Sequence, residues 1–138
     1  MTIKEIQEEI VDEFALFDDW MQRYEYIIEL GKSLPLINDQ YKIEENLIRG
    51  CQSQVWLHAE KKDDTIVFTA DSDAILTKGI IAILIRVFSN QKAVDVMNAD
   101  TSFIDEIGLK EHLSPTRANG LVSMIKQIKL YAIALQAN

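Results

Sequence analysis

Cysteine and histidine are scarce in this chain, and their scarcity excludes several kinds of site. Cys51 is the only cysteine among 138 residues, so no disulfide can form within the chain. His58 and His112 are the only histidines, and neither has the ligand spacing of a zinc site. An iron–sulfur cluster ordinarily needs several thiolates. We therefore expect no bound metal and no cofactor, and any chemistry of Cys51 is that of a single sulfur atom.

The chain also lacks an excess of positive charge and any long hydrophobic run. Its formal net charge of −8 disfavours nucleic acid and anionic membranes as partners, because both are bound through Lys and Arg. The longest apolar stretch, Gly79 to Ile85, is far too short to cross a bilayer. The first residues are acidic and amphipathic, which does not fit a signal peptide. A free thiol without an export signal favours the cytoplasm.

Glycine and proline are few, and the sequence shows neither repeats nor low-complexity segments. Hydrophobic residues make up 48% and charged residues 26% of the chain, as in ordinary globular domains. We expect one domain over residues 1–138. Thr2 and Glu5 predict a capping box at the start of a first helix, and Asp18-Asp19 precedes a second helix that stops at Gly31.

Alternating apolar and polar residues place the β-structure in the middle of the chain. The strand candidates are residues 46–48, 53–60 and 65–69, and the polar residues 61–64 form the turn between the last two. These segments predict a small three-stranded antiparallel sheet. Cys51 would then lie at the tip of a hairpin, beyond the end of the sheet.

Helices are predicted again after the strands. Asp71-Ser72-Asp73 is interpreted as the cap of a long helix to about Phe88, whose continuous hydrophobicity predicts burial on more than one side. Short helices near residues 93–97 and 102–107 follow. Ser114-Pro115 opens the final helix, in which Asn119-Gly120 is a candidate interruption. The order of helices, strands and helices predicts an α+β fold with helices flanking the sheet.

The residues alone leave three interpretations of Cys51 open. A free cysteine is often a buried small hydrophobic residue, and a pure docking module would leave it inert. A hairpin tip next to Gly50 instead suits a nucleophile. A Cys-His hydrolase would need His58 or His112 as its base, and the sequence supports no pairing with either. Arg117 stands near a helix start, against the helix dipole, which makes it a candidate contact for an anion or a partner.

Five sequence blocks, in order along nearly the whole chain, resemble a known family. They are Trp20 with Tyr24 and Ile27-Ile28-Glu29-Leu30-Gly31; Leu34-Pro35; Gly50-Cys51-Gln52-Ser53-Gln54-Val55-Trp56; Asp71-Ser72-Asp73-Ala74 with Lys78-Gly79; and Leu113-Ser114-Pro115-Thr116-Arg117 with Gly120-Leu121. The block around the sole cysteine is the most specific. Through these blocks the chain resembles the SufE family of sulfur-acceptor proteins in iron–sulfur cluster assembly.

The resemblance implies a function for Cys51. Such proteins accept sulfur from a SufS-type cysteine desulfurase, a pyridoxal-phosphate enzyme, so Cys51 would carry a persulfide and deliver its sulfur to a Suf scaffold complex. The chain would be a carrier that stimulates the desulfurase, without turnover of its own. The resemblance also implies a fold shared with IscU-type scaffolds, whose additional cysteines this chain lacks. A homodimer is the assembly that it suggests.

A sulfur shuttle needs a thiol that is reactive with a partner and shielded between partners. We expect Cys51 to pack inward at rest and to swing out on docking, with Gly50 as the hinge. Arg117 would approach the thiol and favour the thiolate, and Asp71 and Asp73 would lie near the same end of the sheet. Three polar residues would contact the loop or the partner: Gln52, Ser53 and Gln54.

Overall fold

Two capped helices open the chain, which the computed structural model describes over residues 1–136. In α1 (Ile3–Phe14), Thr2 Oγ1 accepts a hydrogen bond from the Glu5 N–H at 3.1 Å, and the Glu5 carboxylate accepts one from the Thr2 N–H at 2.9 Å. The predicted capping box is therefore confirmed. α2 (Trp20–Gly31) is capped by Asp19, whose carboxylate accepts a backbone N–H of the first turn at 2.8 Å.

A two-stranded antiparallel sheet forms the β part. β1 (Val55–Lys62) and β2 (Thr65–Ser72) pair along their whole length, with Val55 opposite Ser72. The connecting turn passes through Asp63, whose φ of 58° lies in the left-handed region that aspartate tolerates. In β1 the predicted alternation is confirmed for the first half of the strand, where Val55 and Leu57 are buried, and alternate residues of β2 also face the core.

The prediction of a third strand is wrong. A 3₁₀ turn at Glu44–Asn46 is followed by Leu47, which makes one isolated bridge to Trp56. The Ile48 N–H then donates to the Val55 carbonyl at 2.8 Å. Because the chain turns away directly after this bond, the pairing ends before a strand can develop, although two of the three candidate residues are apolar enough for one.

The segment between α2 and the sheet covers the opposite edge. Leu36 forms a parallel bridge with Ala70 of β2, and the Ala70 N–H donates to the Pro35 carbonyl at 3.1 Å. A 3₁₀ turn at Asp39–Tyr41 follows. This irregular segment satisfies backbone groups that the edge of a two-stranded sheet would otherwise leave without partners.

A long buried helix forms the centre of the fold. α3 (Ile75–Phe88) has eleven buried residues among its fourteen, which confirms the predicted burial on more than one side. α2 crosses α3 where Gly31 meets Gly79, with no side chain between the two backbones. Arg86, near the end of α3, forms ion pairs with Glu9 and Glu13 of α1.

Short helices connect α3 to the final helix. α4 (Ala93–Asn98) and α5 (Phe103–Glu106) confirm the two predicted short helices. Gly108 follows α5 with a φ of 75°, a left-handed conformation suited to the end of a helix. α6 (Leu109–His112) is one turn long and was not predicted.

The final helix is the longest element. α7 (Pro115–Gln136) continues through Gly120, so the predicted interruption is wrong. Its buried side consists of Gly120, Leu121, Met124, Ile128 and Ala132. No helix among residues 1–136 is long and apolar enough to cross a membrane. The element order confirms the predicted α+β fold.

Candidate functional site

The only cysteine lies on a short loop before β1. This Cys51 loop (residues 49–54) leaves the sheet after the Ile48–Val55 hydrogen bond and rejoins it at β1. Cys51 therefore stands beyond the end of the sheet, as the sequence predicts, although one bridge rather than a full strand closes the loop. The loop packs against α7, so the helix and the sheet together fix its position.

Cys51 packs inward against a glycine of α7. Its side chain is half-buried, and Sγ lies 3.6 Å from the Gly120 carbonyl, to which the thiol donates a weak hydrogen bond. A Cβ at Gly120 would lie 3.4 Å from Sγ, at ordinary van der Waals contact, so the loop rests closely on the helix. Burial raises the pKa of the Cys51 thiol. The resting form is therefore the protonated thiol.

Gly50 holds the loop in a conformation that other residues rarely adopt. Its φ is +93°, and a Cβ at this position would lie 2.5 Å from the Ser123 Oγ of α7. Both the backbone angle and the space therefore require glycine. In this structure Gly50 seats the loop on α7, and its role as a hinge stays a prediction.

Asp73 ties the other end of the loop to the start of α3. Its Oδ1 accepts a hydrogen bond from the Gln54 N–H at 3.0 Å, and its own N–H donates to the Gln54 carbonyl at 3.3 Å. Asp73 does not cap α3, because the N-cap is Ala74 and no side chain caps that helix. The interpretation of Asp73 as a helix cap is therefore wrong, and its carboxylate holds the Cys51 loop instead.

Asp71, near the Cys51 loop, forms ion pairs with two lysines. Its carboxylate lies 2.7 Å from Lys42 Nζ and 3.4 Å from Lys78 Nζ. Burial alone would raise the pKa of Asp71, but the hydrogen bonds from Lys42 and from the Ser72 N–H, with the charges of both lysines, hold that pKa below its usual value. Lys42 also stands 5.6 Å from the centre of the Trp56 ring. This cluster joins four segments at the same end of the sheet: β1, β2, α3 and the segment between α2 and β1.

A small cavity opens beside the sulfur atom. Its volume is about 270 Å³. Arg117 is its only charged lining residue, and Thr77 of α3 is the only buried polar residue of the core among residues 1–136. The full lining is Cys51, Gln52, Ser53, Thr77, Ile80, Thr116, Arg117, Gly120 and Met124. The thiol thus faces a space large enough for an additional sulfur atom.

Arg117 lines this cavity but is held by a tyrosine. Its Nη1 donates to the Tyr24 hydroxyl at 3.1 Å, and its backbone N–H donates to Ser114 Oγ at 3.3 Å. Burial raises the pKa of the Cys51 thiol. Arg117 and Cys51 share one cavity, and the prediction that Arg117 favours the thiolate stays a prediction.

Neither histidine lies where a base for Cys51 would be needed. His58 stacks on Tyr41 at 3.7 Å between ring centres, and its Nε2 is 2.9 Å from a Glu60 carboxylate oxygen. His112 stacks on Trp20 at 4.2 Å. Neither lines the cavity at Cys51. Within residues 1–136 no group of three or more His, Cys, Asp or Glu side chains could hold a metal ion.

The structure brings most of the predicted site residues together and adds others. Residues 50–54 belong to the Cys51 loop, Asp73 forms a hydrogen bond with one end of it, and Arg117 lines the cavity beside its sulfur atom. Sequence reasoning missed four residues of the site: Tyr24, Thr77, Gly120 and Ser123. Tyr24 and Gly120 belong to the blocks of the family resemblance, which is the one signal that could have indicated them. Thr77 and Ser123 carry no such signal.

Comparisons of the sequence with known proteins point to one family. The model of the family SufE, described as an Fe-S metabolism associated domain, matches residues 8–132. An uncharacterized SufE-like protein of Rhizobium meliloti (strain 1021) is 44% identical over 127 residues, covering 88% of this chain and 91% of that protein. A second one, from Rhizobium etli, is 40% identical, covering 88% of this chain and 86% of its own.

A solved structure matches the fold. The solution structure of a hypothetical protein from Thermus thermophilus superposes with a TM-score of 0.81, over 96% of this chain and 97% of that one. At 16% sequence identity, this likeness shows the fold alone.

Proposed function

Because this chain belongs to the SufE family, whose domain is associated with Fe–S metabolism, we propose that it is a sulfur carrier that holds a persulfide on Cys51. The observation that carries the proposal is the position of the sole thiol, on a loop beyond the sheet, half-buried and facing a small cavity. A single sulfur atom cannot form an internal disulfide, so a persulfide on Cys51 is safe from attack by a second thiol of the same chain.

The transfer step is an exchange at sulfur. The Cys51 thiolate attacks the outer sulfur of a cysteine persulfide on the donor, and the bond between the two donor sulfurs breaks. The donor cysteine leaves as a thiolate and takes up a proton, while Cys51 loses one. Cys51 then carries the outer sulfur, and no external oxidant or reductant is consumed.

The resting geometry favours protection over attack. Burial keeps the thiol protonated, and its sulfur rests against the Gly120 carbonyl. Attack therefore requires the loop to open, which breaks the contact with Gly120 and the two hydrogen bonds between Gln54 and Asp73. Gly50 provides the backbone freedom for that motion, and Gln52 and Ser53 meet the partner with polar side chains.

The partners follow from the family. The donor is a SufS-type cysteine desulfurase, a pyridoxal-phosphate enzyme, and the acceptor is a Suf scaffold complex in the cytoplasm. By removing the persulfide product, the chain stimulates the desulfurase while performing no turnover of its own. A homodimer is the proposed assembly, and no cofactor takes part in the carrier's own step.

Intact-mass spectrometry after incubation with a SufS-type desulfurase and cysteine tests this function. We expect a gain of one sulfur atom that a reductant reverses. Cys51→Ser should gain none, because no other cysteine exists. A variant without histidines, His58→Gln with His112→Gln, should load normally. Loading that required a histidine would indicate a Cys-His enzyme, and absence of loading with an active, bound desulfurase would indicate an inert docking module.

A further inference from the structure

Charge is distributed very unevenly along this acidic chain. Residues 1–31, which contain α1 and α2, hold nine Asp and Glu but only two Lys and Arg, so they carry almost the whole net charge of −8. α7 is the opposite case, with three basic residues and no acidic residue along its length. The helix against which the Cys51 loop rests therefore carries a net positive charge, in contrast to the two acidic helices at the start of the chain.

The exposed side of α7 combines this charge with apolar contacts. Val122, Lys126 and Leu130 follow one another at four-residue spacing, so they form a single stripe along the helix. Val122 is 50% exposed and Leu130 46% exposed, and Lys126 is exposed between them. Exposed apolar side chains on both sides of a lysine are typical of a surface that binds another protein.

A groove continues this stripe to the Cys51 loop. The groove has a volume of about 330 Å³, and Arg49 of the loop and Lys126 of α7 both line it. Glu45 is its one acidic lining residue. Ser123, which contacts Gly50, also lies in the groove, so the groove is continuous with the seat of the loop.

The cations of the groove are available for an external partner. Neither Arg49 nor Lys126 lies within ion-pair distance of a carboxylate of residues 1–136. Lys129, the third basic residue of α7, is engaged instead by the Ala99 carbonyl at 2.8 Å. The positive charge next to the Cys51 loop is thus not neutralised within this part of the chain.

We propose that Arg49, Val122, Lys126 and Leu130 form a docking face for an acidic and partly apolar surface next to the persulfide cysteine of the sulfur donor. This proposal rests on the proposed function, because it assigns the face beside the Cys51 loop to the donor that loads Cys51. The charge of the face fits an acidic surface on the donor, because α7 attracts such a surface and the acidic helices α1 and α2 repel it. The same field turns the Cys51 loop toward the donor during diffusion.

The test measures association rather than sulfur transfer. The association rate constant with a purified SufS-type desulfurase is determined for Cys51→Ser, with and without Lys126→Glu, at low and high salt. Lys126→Glu should slow association about tenfold at low salt, and the difference should shrink at high salt as ions screen the face. Arg49→Glu should act in the same direction.

Lys61→Glu is the matched control, because it changes the net charge equally. Lys61 is exposed near the far end of β1, roughly 20 Å along the strand from the loop end. It should slow association less than about twofold, since steering depends on local charge. Thermal unfolding of the charge variants should coincide with that of Cys51→Ser alone, because the side chains of Arg49, Lys61 and Lys126 are exposed.

Three outcomes would overturn the proposed face. The first is an equal loss in Lys61→Glu, and the second is association that salt does not change. The third is a salt-sensitive self-association that Lys126→Glu abolishes while donor binding stays intact, which would assign the face to a second copy. Failure of the proposed function is separate, because it appears as missing persulfide on wild-type Cys51 whatever the association rates are.

Discussion

Two helix contacts in this fold use glycine, and they tolerate very different amounts of change. At the crossing of α2 and α3, a Cβ on Gly79 would lie 2.1 Å from the Ile27 carbonyl oxygen, and one on Gly31 would lie 3.0 Å from the Gly79 nitrogen. At the contact of α7 with the Cys51 loop, a Cβ on Gly120 would lie 3.4 Å from the Cys51 sulfur.

The difference lies in which atoms meet. Backbone meets backbone in the crossing, so neither side can give way without moving a whole helix. In the loop contact, helix backbone meets a cysteine side chain, which can leave by a local motion. The crossing fixes the fold, whereas the loop is held by a few contacts that a partner can replace. Substitutions can test this contrast, beginning with the largest expected effect.

Gly79→Ala should destabilise the protein strongly. The added methyl group overlaps a backbone oxygen, so α2 and α3 must separate, and we expect a loss of about 3 kcal/mol in the free energy of unfolding. Urea denaturation measures this loss. Gly120→Ala is the matched control: it makes an ordinary contact in a helix interior and should stabilise by up to about 1 kcal/mol. Equal losses in both variants would remove the contrast.

Gly50→Ala should have an intermediate effect on stability. The left-handed backbone angle disfavours any side chain by about 1–2 kcal/mol, and Ser123 Oγ adds a steric clash. Combination with Ser123→Ala should recover the steric part of the loss and leave the backbone part. A loop that moved freely at rest would show no loss in either variant, and urea denaturation of the pair distinguishes the two cases.

Asp73→Ala should loosen the loop more than it loosens the fold. Loss of the hydrogen bond to the Gln54 N–H, which contributes about 1 kcal/mol, should raise the open population and the rate of Cys51 alkylation by iodoacetamide about fivefold. Asp73→Asn keeps an acceptor oxygen and should stay near the wild-type rate. If both variants alkylate at the wild-type rate, these hydrogen bonds do not hold the loop closed.

The smallest effect concerns pH. Because burial raises the pKa of Cys51, its alkylation rate should rise with pH around a midpoint above that of an unfolded thiol, and Asp73→Ala should lower that midpoint. The raised pKa contributes stability that is fully present below the unfolded thiol pKa and is lost as pH rises through the folded one. Cys51→Ser should lack this alkaline loss in urea denaturation.

Local and periodic features of the fold could be predicted from the sequence. The capping box at Thr2 depends on residues three apart, and the burial of α3 follows from its unbroken hydrophobicity. The third strand could not be excluded in this way. Leu47 has the composition of a strand, and only the turn that follows it limits pairing to one bridge.

The candidate site divides in the same manner. The lone cysteine and its neighbours in the sequence could be identified from the pattern, since they form one continuous block. The role of Asp73 could not, because an acidic residue before a helix normally predicts a cap, and its bond to Gln54 depends on how the loop folds back. The Asn119-Gly120 pair suggests an interruption of the helix. The actual role of Gly120 is a contact with Cys51, and the sequence does not indicate it because the two residues are far apart in the chain.

The inward position of the Cys51 sulfur also determines how the protein meets oxidants. Peroxides oxidise thiolates much faster than protonated thiols, and reaction requires access to the sulfur. The Cys51 thiol is half-buried and its pKa is raised, so both the thiolate population and the access of a peroxide to the sulfur are low. The unloaded protein should therefore survive oxidative stress with its single cysteine intact, ready for loading once a donor opens the loop.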